Sequence, residues 1–538
     1  MFCDQCEQTA KGTGCTIKGV CGKDSEVALE QDQLVYLLRW LANLVEQAQK
    51  REIDTTAYDD FIAEALFATL TNVNFDPDAL RKMQVSAFQY CRNLAAEMGE
   101  TPDELQGTLG DLLDTLPESV VGTNKFSADA DADSAMQMLL YGLKGTCAYK
   151  THAARLGERD SELSAYVRKA LIAGTTWDTQ TRDLGGWLEI VLECGKANLK
   201  AMELLDRANT THFGTPEPSK FSLGHKKGKA ILISGHDFGD LEALLKQTEG
   251  TGINVYTHCE MLPAHGYPKL KAYKHLAGNF GTAWENQQKE IPHFPGPVLF
   301  TTNCIQNPKG YADRTFTSGN VGWPGCTHCP DRDFSAVIAK AQEMEGFTDD
   351  EPAKEIMTGF GHAALAQAAP AILDAVAKGQ LKHIFLVGGC DGARPTREYY
   401  TEFVEKTPKD TIVLTLACGK FRFYDKDLGK LGDFPRLMDC GQCNDAYTAI
   451  VTAKALADAL KCGINDLPLS MIISWYEQKA VAVLLTLLYL GVKNIILGPT
   501  LPAFITPTIL KVIVEKWGVR LMTTPEEDLK SCLEAQAS

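Results

Sequence analysis

Four cysteines fall within the first 21 residues, Cys3 and Cys6 as a Cys-x2-Cys hook, then Cys15 and Cys21. Their neighbours are small or polar (Thr9, Gly12, Thr13, Gly14, Thr16, Gly19, Gly22). So short a segment cannot build its own apolar core, and its fold must be organised by whatever four converging thiolates bind. Thiolates are soft ligands that select zinc or iron–sulfur clusters. Structural zinc sites usually pair two short Cys-x2-4-Cys hooks, whereas five residues separate Cys15 from Cys21. Four unevenly spaced cysteines suit a cubane, in which each of four irons takes one sulfur. An iron–sulfur cluster is the favoured reading, with zinc as its rival.

The 538 residues carry 53 Lys+Arg against 69 Asp+Glu, a formal net charge of −16. That sign argues against nucleic acid or an anionic membrane as a partner and favours a small molecule or a redox protein. The longest mainly apolar run, 480–492, has 13 residues, too short for a membrane span and suited to a buried helix. No targeting segment is recognisable. The 17 cysteines then point to a reducing compartment, where they act as ligands, catalytic groups or buried thiols rather than disulfides; the cytoplasm is the expected location.

A change of texture near residue 210 divides the chain. From Gln31 to about Asn209 apolar residues recur at three and four, as in Leu34, Leu37, Leu38, Leu41 and Leu44, which predicts a helical domain over 1–210 with no strands. The stretch 211–227, with Gly214, Pro216, Pro218 and Gly224, reads as a linker without regular structure. Beyond it, short β-branched runs alternate with helical ones. Strands are expected at 230–234, 253–256, 298–301, 383–387, 411–416, 471–474 and 494–497, with helices such as 241–247, 334–344 and 446–460 between them. This βαβ texture predicts an α/β fold with two Rossmann-like parallel-sheet domains, 228–375 and 376–538.

Six metal-binding side chains fall at the carboxyl ends of those strands: His236, Glu260, Cys304, Cys390, Cys418 and Glu477. Open α/β sheets bind ligands in the crevice beyond those ends, so these groups can converge on a second site. A mixture of thiolate, imidazole and carboxylate suits a metal centre with both sulfide and harder oxygen donors. Taken singly, each could equally be a core thiol or a polar loop group.

The motifs that carry these residues resemble the hybrid cluster proteins, or hydroxylamine reductases. They are Ser234-Gly235-His236-Asp237, the run from Glu260 to Pro268, Thr302-Asn303-Cys304, Gly388-Gly389-Cys390-Asp391-Gly392, Leu416-Ala417-Cys418-Gly419-Lys420, Cys440-Gly441-Gln442-Cys443-Asn444-Asp445 and Ser474-Trp475-Tyr476-Glu477-Gln478-Lys479. The amino-terminal spacing resembles the variant with a 4Fe-4S cubane rather than a 2Fe-2S centre. The resemblance implies a helical domain, two Rossmann-like domains and a hybrid 4Fe-2S-2O cluster where they meet. It implies His236, Glu260, Cys304, Cys390, Cys418, Cys443 and Glu477 as ligands, with Lys479 beside them and the Cys390 sulfur as a persulfide in oxidised forms. Cys443 and Lys479 rest on the resemblance alone, because Cys440 is an equal candidate by spacing and a lone lysine is ordinarily a surface charge.

The chemistry so implied is reduction of hydroxylamine to ammonia and water, or of nitric oxide to nitrous oxide, with electrons from a redox partner protein entering at Cys3, Cys6, Cys15 and Cys21. The catalytic groups would be Cys390, Glu477, Lys479 and His236, the last three as proton donors. If the chain stays extended after the strand 471–474, Glu477 and Lys479 point to one side. A nitric oxide sensor or nitrosyl-transfer protein is the non-enzymatic alternative. A nickel-iron carbon monoxide dehydrogenase is less favoured, since no further cysteine precedes Cys91. Cys326-Thr-His-Cys329 reads as structural, His265 as either a structural hydrogen bond or a proton relay, and Cys259 as a spare thiol near the second site.

Overall fold

The computed structural model describes residues 1–99, 102–116, 126–352 and 354–534. After the cysteine hook come six long helices: α1 (Ser25–Gln49), α2 (Thr56–Ala68), α3 (Pro77–Glu97), α4 (Ala130–Arg155), α5 (Ser161–Ile172) and α6 (Leu184–Phe213). Aspartates set several of their starts. Asp24, Asp76, Asp129, Asp160 and Asp183 each occupy the N-cap and accept a hydrogen bond from a first-turn amide, which satisfies donors the helix cannot. Among the described residues no strand precedes Ser219, as the helical periodicity predicts.

Two six-stranded sheets follow. The first comprises β1 (Ala230–Ser234), β2 (Asn254–His258), β3 (Leu276–Asn279), β4 (Val298–Phe300), β5 (Thr315–Ser318) and β6 (Thr327–Cys329). The second comprises β7 (His383–Gly389), β8 (Thr411–Thr415), β9 (Leu437–Asp439), β10 (Leu469–Ser474), β11 (Ile496–Gly498) and β12 (Arg520–Leu521). Their orders are β3-β2-β1-β4-β5-β6 and β9-β8-β7-β10-β11-β12, and every pairing is parallel. Both orders are the dinucleotide-fold order, which reverses between the first and fourth strands and opens a crevice there. Alternate residues of β7 face different cores: Ile384 and Leu386 join the helices of the amino-terminal domain, while Phe385 and Val387 pack with Tyr399 and Phe403. Burial on both faces explains why the central strands read as unbroken apolar runs.

Two expectations need correction. The stretch 211–227 is not free of regular structure, because Ser219–Ser222 pairs antiparallel with Glu355–Thr358. Phe221 is buried from this strand, and the partner that makes it a strand lies more than 130 residues away, beyond local sequence reading. The helix His362–Ala377 contains the expected division at 375 and packs against the helix Tyr447–Leu460 of the second sheet. We therefore place the junction of the two α/β units ahead of it, at Gly359–Gly361.

The helix α7 (Gln478–Tyr489) follows β10 and packs against α4 and α6. It accounts for most of the apolar run 480–492, and among the described residues no helix is long and apolar enough to cross a membrane. The helical domain and the second sheet thus share one apolar core.

Candidate metal centre

The hook is held by a bridge in which the Cys3 amide donates to the Cys15 carbonyl at 3.0 Å and the Cys15 amide to the Cys3 carbonyl at 2.8 Å. Cys3, Cys6, Cys15 and Cys21 line a single pocket. Burial, with the neighbouring Cys21, Cys3 and Cys15, holds the Cys6 thiol well above its usual range. Burial opposes charge on the Lys23 ammonium, yet Cys3 and Cys21 beside it keep its pKa raised. Such a cation offsets the negative charge that four thiolates would gather.

The hook is fastened to the second sheet. The Glu7 amide donates to the Tyr476 carbonyl at 3.0 Å, the Gln478 side-chain amide donates to the Gln5 carbonyl, and Arg397 pairs with the Glu7 carboxylate at 3.1 Å. Arg397 and Glu7 are both fully buried at their side chains; this pairing supplies the partners a buried charge requires. Tyr476, also buried, has Cys6 and Cys21 of the hook and Cys304 of the second site among its electrostatic neighbours.

The second site lies beyond the carboxyl ends of both sheets. Each strand end contributes: β1 leads to His236, β2 to Cys259 and Glu260, β4 to Cys304, β7 to Cys390, β8 to Cys418, β9 to Cys443 and β10 to Glu477. The turn after β7 requires glycine, since a Cβ on Gly389 would lie 2.0 Å from the Ser474 carbonyl oxygen and its φ is +111°. That close approach lets the Cys390 amide donate to the Ser474 carbonyl at 3.0 Å.

Ligand atoms of His236, Glu260 and Cys443 lie within 4.8 Å of one another. The His236 Nδ1 and the Thr302 hydroxyl are 2.8 Å apart, and that hydroxyl also donates to the Asn303 carbonyl, which leaves the ring nitrogen to donate. Nε2 then faces the site as a bare acceptor, 3.8 Å from the Glu260 carboxylate. Burial, reinforced by Lys479, holds the His236 pKa well below its usual value, and neutral imidazole is the form that binds metals. One oxygen of Glu260 accepts from the Cys443 amide at 2.7 Å, while the other is buried without a hydrogen-bond partner. An orphaned carboxylate oxygen in a fully buried residue requires an explanation, and a cation supplies one.

The thiols of Cys304, Cys390, Cys418 and Cys443 are all held in the protonated range. Burial pushes Cys390 up to about 12 and Cys304 and Cys443 well above the usual thiol value; for Cys418 the contact with Cys259 leads and burial follows. The Cys259 and Cys418 sulfurs are 3.5 Å apart, so Cys259 stands within the site. Cys440 instead turns its sulfur toward the Met438 carbonyl, at 3.8 Å, and belongs to the apolar core.

Lys479 is buried, with its ammonium 3.2 Å from His236 Nε2, 3.0 Å from the Asn303 side-chain oxygen and 3.8 Å from the Glu477 carboxylate. Burial opposes its charge, but Cys443, Glu477, Cys304 and Cys390 nearby keep its pKa raised. The chain is not extended through this pair. Glu477 is the N-cap of α7, and its carboxylate accepts from the Lys479 amide at 2.8 Å. The helix start, not a strand alternation, brings the two side chains together. Sequence reading also missed Asn303, Thr302 and Gln442, whose side-chain amide donates to the carbonyls of His236 and Glu260. Their adjacency to Cys304 and Cys443 was the available signal.

An apolar cavity of about 60 Å³ is lined by Cys390, Cys443 and Lys479, by Val483 of α7, by Ala449 of the helix Tyr447–Leu460 and by Leu490. Two other features make packing contacts. His265 stacks on Phe221 and makes a 3.1 Å contact with the Thr257 hydroxyl, and burial lowers its pKa to about 4. Cys329 ends the edge strand β6 and packs in the core of the first sheet.

The Prismane/CO dehydrogenase family model matches residues 1–530. A hydroxylamine reductase of Lawsonia intracellularis is 54% identical over 534 residues, covering 98% of this chain and 99% of the relative. One from Methanocella arvoryzae is 52% identical over 545 residues, covering 99% and 100%. Among solved structures, carbon monoxide dehydrogenase IV from Carboxydothermus hydrogenoformans aligns with a TM-score of 0.58 at 16% identity, over 99% of this chain and 92% of its own. A nickel-free carbon monoxide dehydrogenase from Thermococcus sp. AM4 gives 0.56, also at 16%, over 99% and 90%. At that identity the likeness is one of fold.

Proposed function

Because the chain belongs to the Prismane/CO dehydrogenase family, and is about half identical over its length to hydroxylamine reductases, we propose that it is an iron–sulfur oxidoreductase converting hydroxylamine, two electrons and two protons to ammonia and water. The observation that carries the reading is the orphaned Glu260 oxygen beside His236 and Cys443, with a buried ammonium facing them. The donor set fits a mixed cluster: Cys304, Cys390, Cys418 and Cys443 offer sulfur, and His236, Glu260 and Glu477 offer nitrogen and oxygen. Cys3, Cys6, Cys15 and Cys21 would hold a 4Fe-4S cubane, and the second set a hybrid 4Fe-2S-2O cluster. When bound, these groups supply single-electron storage and an iron site for a small nitrogen ligand.

The chain's own residues do the remainder. Lys479 holds a proton at Nζ, oriented by Asn303 and His236, where it can protonate the departing hydroxyl. Burial raises the Glu477 pKa, and the nearby Lys479 ammonium opposes that rise. The hydrogen bond from the Lys479 amide fixes the Glu477 carboxylate against the helix start. The apolar lining of the cavity beside Cys390 suits a small neutral molecule such as nitric oxide better than water, which favours reduction of nitric oxide as a second activity. A nickel-dependent reading is weaker, since the dehydrogenases resemble this chain at only 16% identity.

Metal and sulfide analysis of anaerobically purified protein, with spin-resonance spectra and hydroxylamine turnover from a reduced dye, tests the proposal. Absence of iron, stoichiometric nickel, or no turnover by iron-replete protein would each overturn it.

A further inference from the structure

The loop between Cys15 and Cys21 has a surface that the fold itself does not use. Ile17 is 87% exposed and Val20 58%, the two most exposed large apolar side chains among the described residues. A shielded position would recover the apolar free energy of both side chains, yet the fold leaves them at the tip of a pinned loop. The loop is closed by the Cys3–Cys15 bridge on one side and by the Gly19 amide donating to the Lys23 carbonyl on the other. Ile17 is two residues from Cys15, and Val20 adjoins Cys21. Anything seated on the tip therefore sits against the hook.

The exposed charge of this segment differs in sign from that of the molecule. The chain as a whole carries −16. Over residues 1–23 the exposed charged side chains are Lys11 and Lys18, while the carboxylates of the same stretch, Asp4 and Glu7, are buried. Asp4 accepts from the Tyr141 hydroxyl at 2.6 Å and Glu7 is paired with Arg397, so neither offsets the lysines at the surface. Asp24, the next acidic residue, is exposed and caps α1, so the exposed charge over residues 1–24 is two ammonium groups against one carboxylate. Two exposed apolar side chains with Lys18 between them, on an acidic body, form a small surface suited to an acidic partner.

We propose that the loop from Cys15 to Cys21 is the docking surface for a small acidic electron-carrier protein, with Ile17 and Val20 as its apolar contact and Lys11 and Lys18 as its electrostatic guide. This rests on the reading of the hook as an electron-entry cluster. Each encounter oxidises the carrier by one electron and delivers that electron at the hook; two encounters supply the pair consumed with two protons per hydroxylamine. A contact of two apolar side chains belongs to the small, transient class typical of redox pairs, in which charge sets the rate of encounter and salt weakens it.

The test uses the holoenzyme, a reduced acidic bacterial ferredoxin as probe, and the variants Lys18→Glu and Ile17→Ser/Val20→Ser. Ferredoxin binding is measured by calorimetry at low and high salt, and hydroxylamine turnover is driven in parallel by ferredoxin and by a reduced dye. Wild-type affinity should fall with salt, and each variant should bind about tenfold more weakly, with dye-driven turnover unchanged. Equal affinity in wild type and variants, or no binding by the wild type, would overturn the proposal. So would sedimentation showing a wild-type dimer that Ile17→Ser dissolves, since the tip would then be a contact between two copies. Loss of dye-driven turnover in the wild type would sink the hydroxylamine reading alone, because the calorimetry does not depend on it.

Discussion

Substituting Gly195 by alanine should impair chemistry at a site the residue does not touch. Gly195 lies in α6, where a Cβ would stand 2.1 Å from the Leu485 carbonyl oxygen and 2.5 Å from its carbon. The obstructing atoms are backbone of α7, so no side-chain rotation relieves them. Ordinary contact begins at 3.4 Å, which requires α7 to retreat by about 1 Å. The start of α7 also rests on Gly145 of α4, whose Cβ would meet the Gln478 carbonyl oxygen at 2.4 Å. The helix cannot retreat without moving its first turn, which holds Lys479 and is capped by Glu477. Overpacking of this kind costs about 1–3 kcal/mol, and a displacement of about 1 Å at reacting groups costs on the order of 100-fold in rate. Gly195→Ala should therefore fold with a lowered melting temperature, keep its hook signal and lose most dye-driven turnover. Gly185→Ala is the matched control on the same helix: its nearest atom is Asp183 Oδ1 at 3.4 Å, and alanine there should be neutral or stabilising by up to about 1 kcal/mol. Wild-type turnover and melting in Gly195→Ala, or equal losses in Gly185→Ala, would refute the argument.

Cys6→Ser should slow electron delivery while iron at the second site still assembles, read as loss of one spin-resonance signal and retention of the other; joint loss of both would deny their independence. Cys390→Ala should leave the hook cluster intact and abolish turnover, so an active variant would show that another thiolate is the essential one. Lys479→Met should keep its iron and lose hydroxylamine reduction, whereas Glu477→Gln should alter the metal content itself; wild-type rates for Lys479→Met across the pH range would remove the ammonium from the mechanism. Lys23→Met removes a buried cation beside Cys3 and Cys21 and should move the hook midpoint to a more negative potential in a spectroscopic redox titration. An unmoved midpoint would show that the charge is balanced elsewhere.

The central strands were legible because both faces are buried: Ala230–Ser234 and Thr411–Thr415 fall where their unbroken apolar and β-branched runs place them. The outer strands were not. Thr-Phe-Thr-Ser at 315–318 and Arg-Leu at 520–521 are too short or too polar to stand out from loops, and only an existing sheet turns them into strands. The same contrast holds at the site. Strand ends pointed to His236, Glu260, Cys304, Cys390, Cys418 and Glu477, because the fold class fixes what faces the crevice. Spacing could not choose Cys443 over Cys440, since the difference is which way a turn after β9 directs two thiols. Nor could it find Gln442 or Asn303, whose amides bind no metal and acquire importance only from what lies opposite them.

The fastening of Gln5 and Glu7 to Tyr476, Gln478 and Arg397 has a consequence for biosynthesis. The contact between Gln5 and Gln478 spans 473 residues, so a segment made early must wait for one made much later before it finds its place. At ordinary elongation rates the interval is about 25–95 s. During that time Cys3, Cys6, Cys15 and Cys21 belong to an unfolded tail, open to cluster-loading proteins and equally to oxidation. The ribosome therefore sets an order: the helices of the amino-terminal domain can form early, and the hook closes only when residues near the far end of the chain arrive. Metal loaded before that moment would be held by four thiolates alone, without the buried arginine and tyrosine that enclose the finished site.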